Sequence, residues 1–328
     1  MDKICWGIIG CGDVTEVKSG PAFNKVPDSS LAAVMRRNRD KAKDYAQRHQ
    51  VPAYYDDAAA LIHDPAVNAV YIATPPSTHE QYTLAALAAG KPVYVEKPMA
   101  QDHSAAARMV TAAQENNVKL VVAHYRRQQP LFIAIKALLD EKRIGDIRFV
   151  NMRFCRKALQ PKDLLLPGIS WRVNPAVSGG GLFHDLAPHQ LDLMYHFFGQ
   201  AQKVCGFSMN QAAVYDAADV VAGNILFTSG ILFTGLWAFN VAEGGEADRC
   251  EIVGSKGEIS FSVFDHHAIK ISVGGVTELL SFEKPAHVQQ PMIEKVVGYF
   301  LGKGPNPCSG EEGAEIMKWI DTIAGKVV

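Results

Sequence analysis

Residues 3–15, reading K-I-C-W-G-I-I-G-C-G-D-V-T, constrain the fold more than any other stretch. The apolar residues Ile4, Trp6, Ile8 and Ile9 make a short strand. Gly10-Cys11-Gly12 ends it in a turn from which a helix can start, with Asp13 or Thr15 as its side-chain cap. A strand, a glycine turn and a helix N-terminus make a place for an anion. Gly10 permits the turn, and Gly12 permits close approach of a pyrophosphate, whose charge would meet free backbone N–H groups and the positive end of the helix dipole. Thr15 stands where a third glycine would complete the fingerprint, so the bare G-C-G pattern is equally compatible with a plain structural turn.

A second apolar run, 31–35, ends in Arg36-Arg37-Asn38-Arg39, and Asn38 can cap a helix over 40–49. An acid at this strand end, about 20 residues past the glycines, would bind a ribose 2′-hydroxyl. Arginine cannot accept that bond. Its planar cation suits a 2′-phosphate, so the cofactor is predicted to be NADP, with NAD possible; the same run also reads as a solvated charge cluster at a helix start. Apolar runs at 68–74, 92–95 and 119–123 alternate with helical stretches at 77–89 and 104–116. That alternation predicts a doubly wound parallel sheet with ligands at the carboxyl ends of its strands. Thr74-Pro75-Pro76 closes one strand, and Glu96-Lys97-Pro98 closes the next with a charged pair at the crevice. From spacing alone Lys97 is either a surface lysine or a catalytic one.

Composition narrows the partners. Lys and Arg total 33 against 34 Asp and Glu, so no net field draws in nucleic acid or an anionic membrane. No apolar run reaches the roughly 20 residues of a membrane span, and the first residues lack a secretion signal, which predicts a cytoplasmic protein. The six cysteines show no C-x-x-C spacing and read as reduced core thiols, with no zinc site.

From His124 the pattern changes, which places a domain boundary near Tyr125: residues 1–125 form one domain and 126–328 the other. A helix over 130–141 and a strand over 147–156 lead to 160–175, read as a long loop holding Trp171 and Arg172. Ser178-Gly179-Gly180-Gly181 then opens a helix on which Asp185, His189 and Asp192, spaced i, i+4 and i+7, share one face. A carboxylate one turn from an imidazole can orient it for proton transfer; a metal pair and a structural role remain open on spacing alone. Beyond Gly199 come strands at 203–210, 220–227, 231–239, 250–253, 258–264, 268–273 and 277–282, then helices at 290–301 and 311–323. A large, mostly antiparallel open sheet in an α+β domain is the natural solution.

The segments Gly7-Ile8-Ile9-Gly10-Cys11-Gly12, Ala73-Thr74-Pro75-Pro76 with His79, and Ala89-Gly90-Lys91-Pro92-Val93-Tyr94-Val95-Glu96-Lys97-Pro98 resemble the Gfo/Idh/MocA oxidoreductases, relatives of glucose-fructose oxidoreductase and inositol dehydrogenase. The resemblance covers essentially the whole chain. It implies an N-terminal Rossmann domain, with Gly10, Gly12, Asp13, Val14, Arg36, Arg37, Thr74, Pro75, His79, Glu96, Lys97, Trp171 and Arg172 around the cofactor. It implies Lys97, Tyr125, Arg126, Arg172, Asp185 and His189 around the substrate. Lys97 would touch both nicotinamide ribose and reacting hydroxyl, Asp185 would orient the substrate, and His189 would be the general acid/base, matching the family's G-G-G-x-x-x-D-x-x-x-H motif. A homodimer or homotetramer through the sheet is likewise implied.

The expected activity is an NADP-dependent hydride transfer at a hydroxyl or carbonyl carbon of a sugar, polyol or sugar acid. A redox-neutral glycosidase of the same fold and a non-catalytic nucleotide-binding regulator are the alternatives. Arg126, Arg127, Arg153, Lys157 and Arg172 are candidates for an anionic pocket, although the sequence does not say which of them face inward.

Overall fold

In the computed structural model, which describes residues 2–265 and 267–326, the chain divides into two compact units. One comprises residues up to 126 together with 285–317; the other comprises 127–284 together with residues from 318 onward.

In the first unit strands and helices alternate: β1 (Ile4–Ile9), α1 (Asp13–Val17), β2 (Ser29–Met35), α2 (Arg39–Arg48), β3 (Ala53–Tyr55), α3 (Ala58–His63), β4 (Ala69–Ile72), α4 (His79–Ala88), β5 (Val93–Val95), α5 (His103–Glu115) and β6 (Leu120–Val122). All six strands pair in parallel, in the order β3-β2-β1-β4-β5-β6. Crossover helices cover both faces of such a sheet, so β4 and β5 are buried at every residue and read as unbroken apolar runs. The Trp6 ring packs 4.9 Å from Phe23, and its Nε1 donates to Ser29 Oγ at 3.1 Å. Neither β3 nor α3 is expected from the sequence, because Ala53-Tyr54-Tyr55 is a three-residue, half-buried edge strand.

The second unit runs α6 (Pro130–Asp140), β7 (Ile147–Lys157), α7 (Pro167–Val173), α8 (Pro175–Ser178), α9 (Gly181–Phe198), β8 (Ala201–Met209), β9 (Val220–Phe227), β10 (Leu232–Val241), β11 (Ala247–Gly254), β12 (Gly257–Phe261), β13 (Ala268–Val273) and β14 (Val276–Ser281). The eight strands form one sheet in the order β14-β13-β12-β11-β7-β10-β9-β8; only β7 and β10 are parallel neighbours. One face is the core. Phe154, Ile225, Trp237 and Ile252 are fully buried there, and α9 lies against it, with Phe183 5.0 Å from the Trp237 ring and Gln190 Oε1 accepting from Trp237 Nε1 at 2.7 Å. The stretch expected as a long loop, 160–175, is instead a 3₁₀ turn (Pro161–Leu165) followed by α7 and α8. Each of the three starts on a proline, whose fixed φ suits a first helical position.

Two further helices close the chain, α10 (Gln290–Phe300) and α11 (Gly310–Ile323). Residues 285–317, assigned to the second domain from sequence, instead belong to the first unit, whose buried polar groups need them. Gln289 Nε2 donates to Glu96 Oε1 at 2.6 Å and its Oε1 accepts from Tyr94 OH at 3.3 Å, Phe300 lies 5.6 Å from Trp6, and Val122 N donates to Cys308 O at 3.0 Å. The core-thiol expectation also needs a correction. Cys11, Cys155, Cys250 and Cys308 are buried and Cys5 half-buried, but Cys205 is exposed on β8, and none of the six is in a disulfide. No helix among the described residues is long and apolar enough to cross a membrane.

Candidate functional site

The first unit's sheet reverses its winding between β1 and β4, and the crevice at that switch is where such sheets take ligands. The glycine turn lies at this point. Gly10 has φ +97° and packs so closely on the end of β4 that an added Cβ would sit 2.7 Å from Thr74 Cγ2. The N–H groups of Gly10 and Cys11 both donate to Met35 O, at 2.9 and 3.2 Å, which fixes the turn to the end of β2. Around Gly12 there is open space, since an added Cβ would meet only Gly10 O at 3.9 Å.

Gly12 is itself the N-cap of α1, with no side-chain cap. This corrects the expected Asp13 or Thr15 cap: the Thr15 hydroxyl donates to Gly12 O at 2.8 Å, and the residue is fully buried. Asp13 and Val14 thus open the helix with their N–H groups unclaimed by any cap side chain. The open space over Gly12 and these uncapped amides fit a dinucleotide pyrophosphate.

Arg36 lies half-buried at the turn, its Nη1 donating to Cys11 O at 3.3 Å, whereas Arg37 is exposed. Asn38 caps α2, its Oδ1 accepting from Lys41 N at 2.9 Å. Thr74 and Pro75 follow β4 and are bound by Thr78, whose hydroxyl donates to Thr74 Oγ1 at 2.8 Å and whose N–H donates to Pro75 O at 3.1 Å. His79 is wholly buried behind them. Its Nε2 lies 2.7 Å from Thr74 O and its Nδ1 2.9 Å from Pro98 O, so the ring ties the end of β4 to the segment after β5. Burial pushes its pKa down.

Glu96 and Lys97 part company. The crevice reading fails for Glu96, whose carboxylate turns inward and takes bonds from Tyr71 OH at 2.6 Å, Gln289 Nε2 at 2.6 Å and the Lys97 N–H at 3.2 Å. An acid this buried needs those donors, and nothing in its local sequence announces them. Lys97 is half-buried directly after it. Tyr125 and Arg126 are both buried in a 3₁₀ turn (Tyr125–Gln128), the guanidinium 5.5 Å from the Tyr125 ring centroid.

In the second unit α7 and α9 bring Trp171, Arg172, Asp185 and His189 together. Arg172 Nε donates to Asp185 Oδ2 at 2.9 Å, Nη1 donates to Gly168 O, and the guanidinium lies 4.5 Å from the Trp171 ring centroid. His189, one helical turn from Asp185, stands edge-on to Phe264 with centroids 5.5 Å apart. Phe264 is a neighbour that no motif signals.

Asp192 is not part of this group. Its carboxylate is held by Arg127 Nε at 2.9 Å and Nη2 at 2.7 Å, with both side chains almost fully buried. Burial raises the Asp192 pKa while Arg127 opposes the rise, and burial together with Arg127 pushes His196 down to about 4. The shared helix face therefore splits into a site pair and a core pair. Among the described residues no cluster of three or more His, Cys, Asp or Glu could hold a metal.

A parallel sheet with its glycine turn at the switch point, in one chain with a unit carrying a carboxylate and an imidazole on one helix, defines a dinucleotide-binding oxidoreductase architecture. Residues 4–124 match the oxidoreductase family with an NAD-binding Rossmann fold, and residues 132–260 match the Gfo/Idh/MocA C-terminal domain. The chain belongs to the Gfo/Idh/MocA oxidoreductase family and is an NAD(P)-binding enzyme.

The chain is 47% identical to Oxidoreductase P35 of Formosa agariphila over 98% of its own length and 99% of that protein's. It is 26% identical to the 1,5-anhydro-D-fructose reductase of Ensifer adhaerens over 94% of this chain and 91% of the relative. The structure of a levoglucosan dehydrogenase in complex with NADH and levoglucosan has the same fold, with a TM-score of 0.85, 21% identity and coverage of 98% of this chain and 96% of that one.

Proposed function

We propose that the enzyme prefers NADP and moves hydride between the nicotinamide and a hydroxyl- or carbonyl-bearing carbon of a sugar, polyol or sugar acid. The carrying observation is Arg36, a cation at the glycine turn where a ribose-binding acid would otherwise stand. Gly10, Gly12 and the first amides of α1 would hold the pyrophosphate, and Arg36 the 2′-phosphate. The bound nicotinamide would supply or accept the hydride. His189 takes or returns the hydroxyl proton, Asp185 orients the substrate with its own carboxylate fixed by Arg172, and Lys97 stabilises the charge developing on the reacting oxygen. The relationship to the 1,5-anhydro-D-fructose reductase of Ensifer adhaerens, along 94% of this chain, supports this substrate class.

Charge-assisted bonds to a phosphate contribute about 1.5–3 kcal/mol, so NADP should bind at least about tenfold tighter than NAD. Titration of both nucleotides against the wild type and Arg36→Asp tests this. The variant should lose most of the preference; equal or tighter binding of NAD by the wild type overturns the reading.

A further inference from the structure

Five basic residues are candidates for an anionic pocket, and the four that lie in the second unit are all committed elsewhere. Arg127 is neutralised by Asp192 in the core, and Arg172 is bound to Asp185. Arg153 and Lys157 share a strand parity opposite to that of buried Phe154. Arg153 Nε donates to Cys155 Sγ at 3.4 Å, and Lys157 Nζ bonds Glu243 at 2.6 Å.

Arg156 shares the parity of Phe154, two residues on in β7, and so belongs to the face on which α9 packs. Its guanidinium carbon lies 4.5 Å from the Phe154 ring centroid and 6.0 Å from that of Phe264, the ring that stands edge-on to His189. Phe154 and Phe264 are themselves 4.8 Å apart. Among the described residues Arg156 meets these two rings and no carboxylate.

The platform is tied to β11. Asp248 accepts from the N–H groups of Val263 at 3.0 Å, Phe264 at 2.6 Å and Asp265 at 3.0 Å, fixing the segment that carries the Phe264 ring. A guanidinium laid on aromatic faces keeps its N–H edge for a planar two-oxygen acceptor, which it can bind through two parallel bonds. One unmatched cation balances one negative charge, whereas a phosphate dianion would call for a second.

We propose that Arg156 is a specificity-determining residue and that the substrate is a carboxylate-bearing sugar, such as a uronic or aldonic acid, whose acid group is held by Arg156 while His189 serves the reacting hydroxyl. The proposal rests on the oxidoreductase reading of Asp185 and His189.

The test uses the full chain loaded with NADP+ and matched probes: D-glucuronate against D-glucose, D-galacturonate against D-galactose, D-mannuronate against D-mannose, D-gluconate against D-glucitol, and D-glucose 6-sulfate. Binding is read by calorimetry and hydride transfer by NADPH absorbance. At least one acid should bind about tenfold or more tightly than its neutral partner, a preference that added salt weakens. Arg156→Met should bring that ratio near one, and Arg156→Lys should keep part of it. Because both sugars of a pair are measured on one protein, the ratio is insensitive to partial loss of fold.

The proposal is overturned if no acid is preferred, if the preference survives in Arg156→Met, or if the sulfate is bound better than every carboxylate. Hydride transfer from a neutral sugar without acid preference would remove Arg156 and leave the oxidoreductase reading standing. Acid binding through Arg156 with no hydride transfer from any probe would leave Arg156 as an acid-binding residue and remove the roles given to Asp185 and His189.

Discussion

His189 and Asp185 sit one helical turn apart on α9, the imidazole edge-on to Phe264 and the carboxylate fixed by Arg172. A ring so positioned suits proton transfer, and His189→Ala should lower kcat by roughly 10²–10⁴-fold. NADP affinity should change little, because the glycine turn and Arg36 belong to the other unit. Single-turnover hydride transfer beside a nucleotide titration separates the two effects; undiminished turnover would move the proton role to another group. Glu16 offers a test by pH. Hydrogen bonds from Arg48 Nη2 and Nη1, both at 2.8 Å, and from His49 hold its pKa at about 2 against an ordinary 4.5. Its contribution to stability is therefore complete above about pH 4.5 and lost as pH falls toward 2. Glu16→Gln should melt below the wild type near neutrality, with the gap closing across that window; a constant gap would show that the pair does not matter. At this scale the sequence revealed what helical spacing controls. The D-x-x-x-H pair was readable because a 3.6-residue period puts i and i+4 on one face. The partners of Asp192 and Glu96 were not, because Arg127 and Gln289 lie 65 and 193 residues away in the chain.

The helix α9 has two working faces. Opposite Asp185 and His189, the His184 ring presses on the glycines that open α9, so that an added Cβ at Gly180 would lie 2.1 Å from its Cε1 and Nδ1. His184 Nε2 is 3.2 Å from Lys326 Nζ and 3.5 Å from Asp321 Oδ1, and Lys326 Nζ donates to Gly179 O at 2.9 Å. The start of α9 is thus bound to the last turn of α11 and to Lys326 beyond it. Gly180→Ala should cost about 1–3 kcal/mol by overpacking, and His184→Ala in the same chain should recover part of it. Denaturant unfolding of both single variants and the double variant measures the coupling; strictly additive costs would mean that the ring simply moves aside. The glycines before α9 were legible as a helix entry, but the clash that demands Gly180 was not, since it comes from a packed ring rather than from a turn. A long apolar run announces its element to within a few residues. What the sequence does not announce are short elements: β3, α3, and the three proline-started turns and helices of 161–178, where no hydrophobic period has room to develop.

For the molecule as a whole, βα alternation made the first sheet readable, because right-handed crossovers leave few strand orders open. The return of 285–317 to that unit was hidden, since an amphipathic helix announces that it has a buried face and not which core receives it. The second sheet poses the remaining question. Its face away from α9 carries an apolar row across four neighbouring strands, Leu226 opposite Leu232, Leu232 opposite Phe149 and Phe149 opposite Val253, while Phe207 on β8 is 82% exposed. Open sheet faces this apolar are rarely left to water. We propose that a second copy of the chain covers this face, giving a dimer or a tetramer. Leu232 is 46% exposed in the single chain and central to the row, so Leu232→Glu would place a carboxylate from each copy in the symmetric contact. Burying an unpaired acid there costs at least about 2 kcal/mol per copy, enough to shift a micromolar assembly toward monomers. Sedimentation velocity at micromolar concentration should show an assembled wild type and a largely monomeric variant with its cofactor binding retained. A monomeric wild type, or a variant that still assembles, would place the contact elsewhere or remove it.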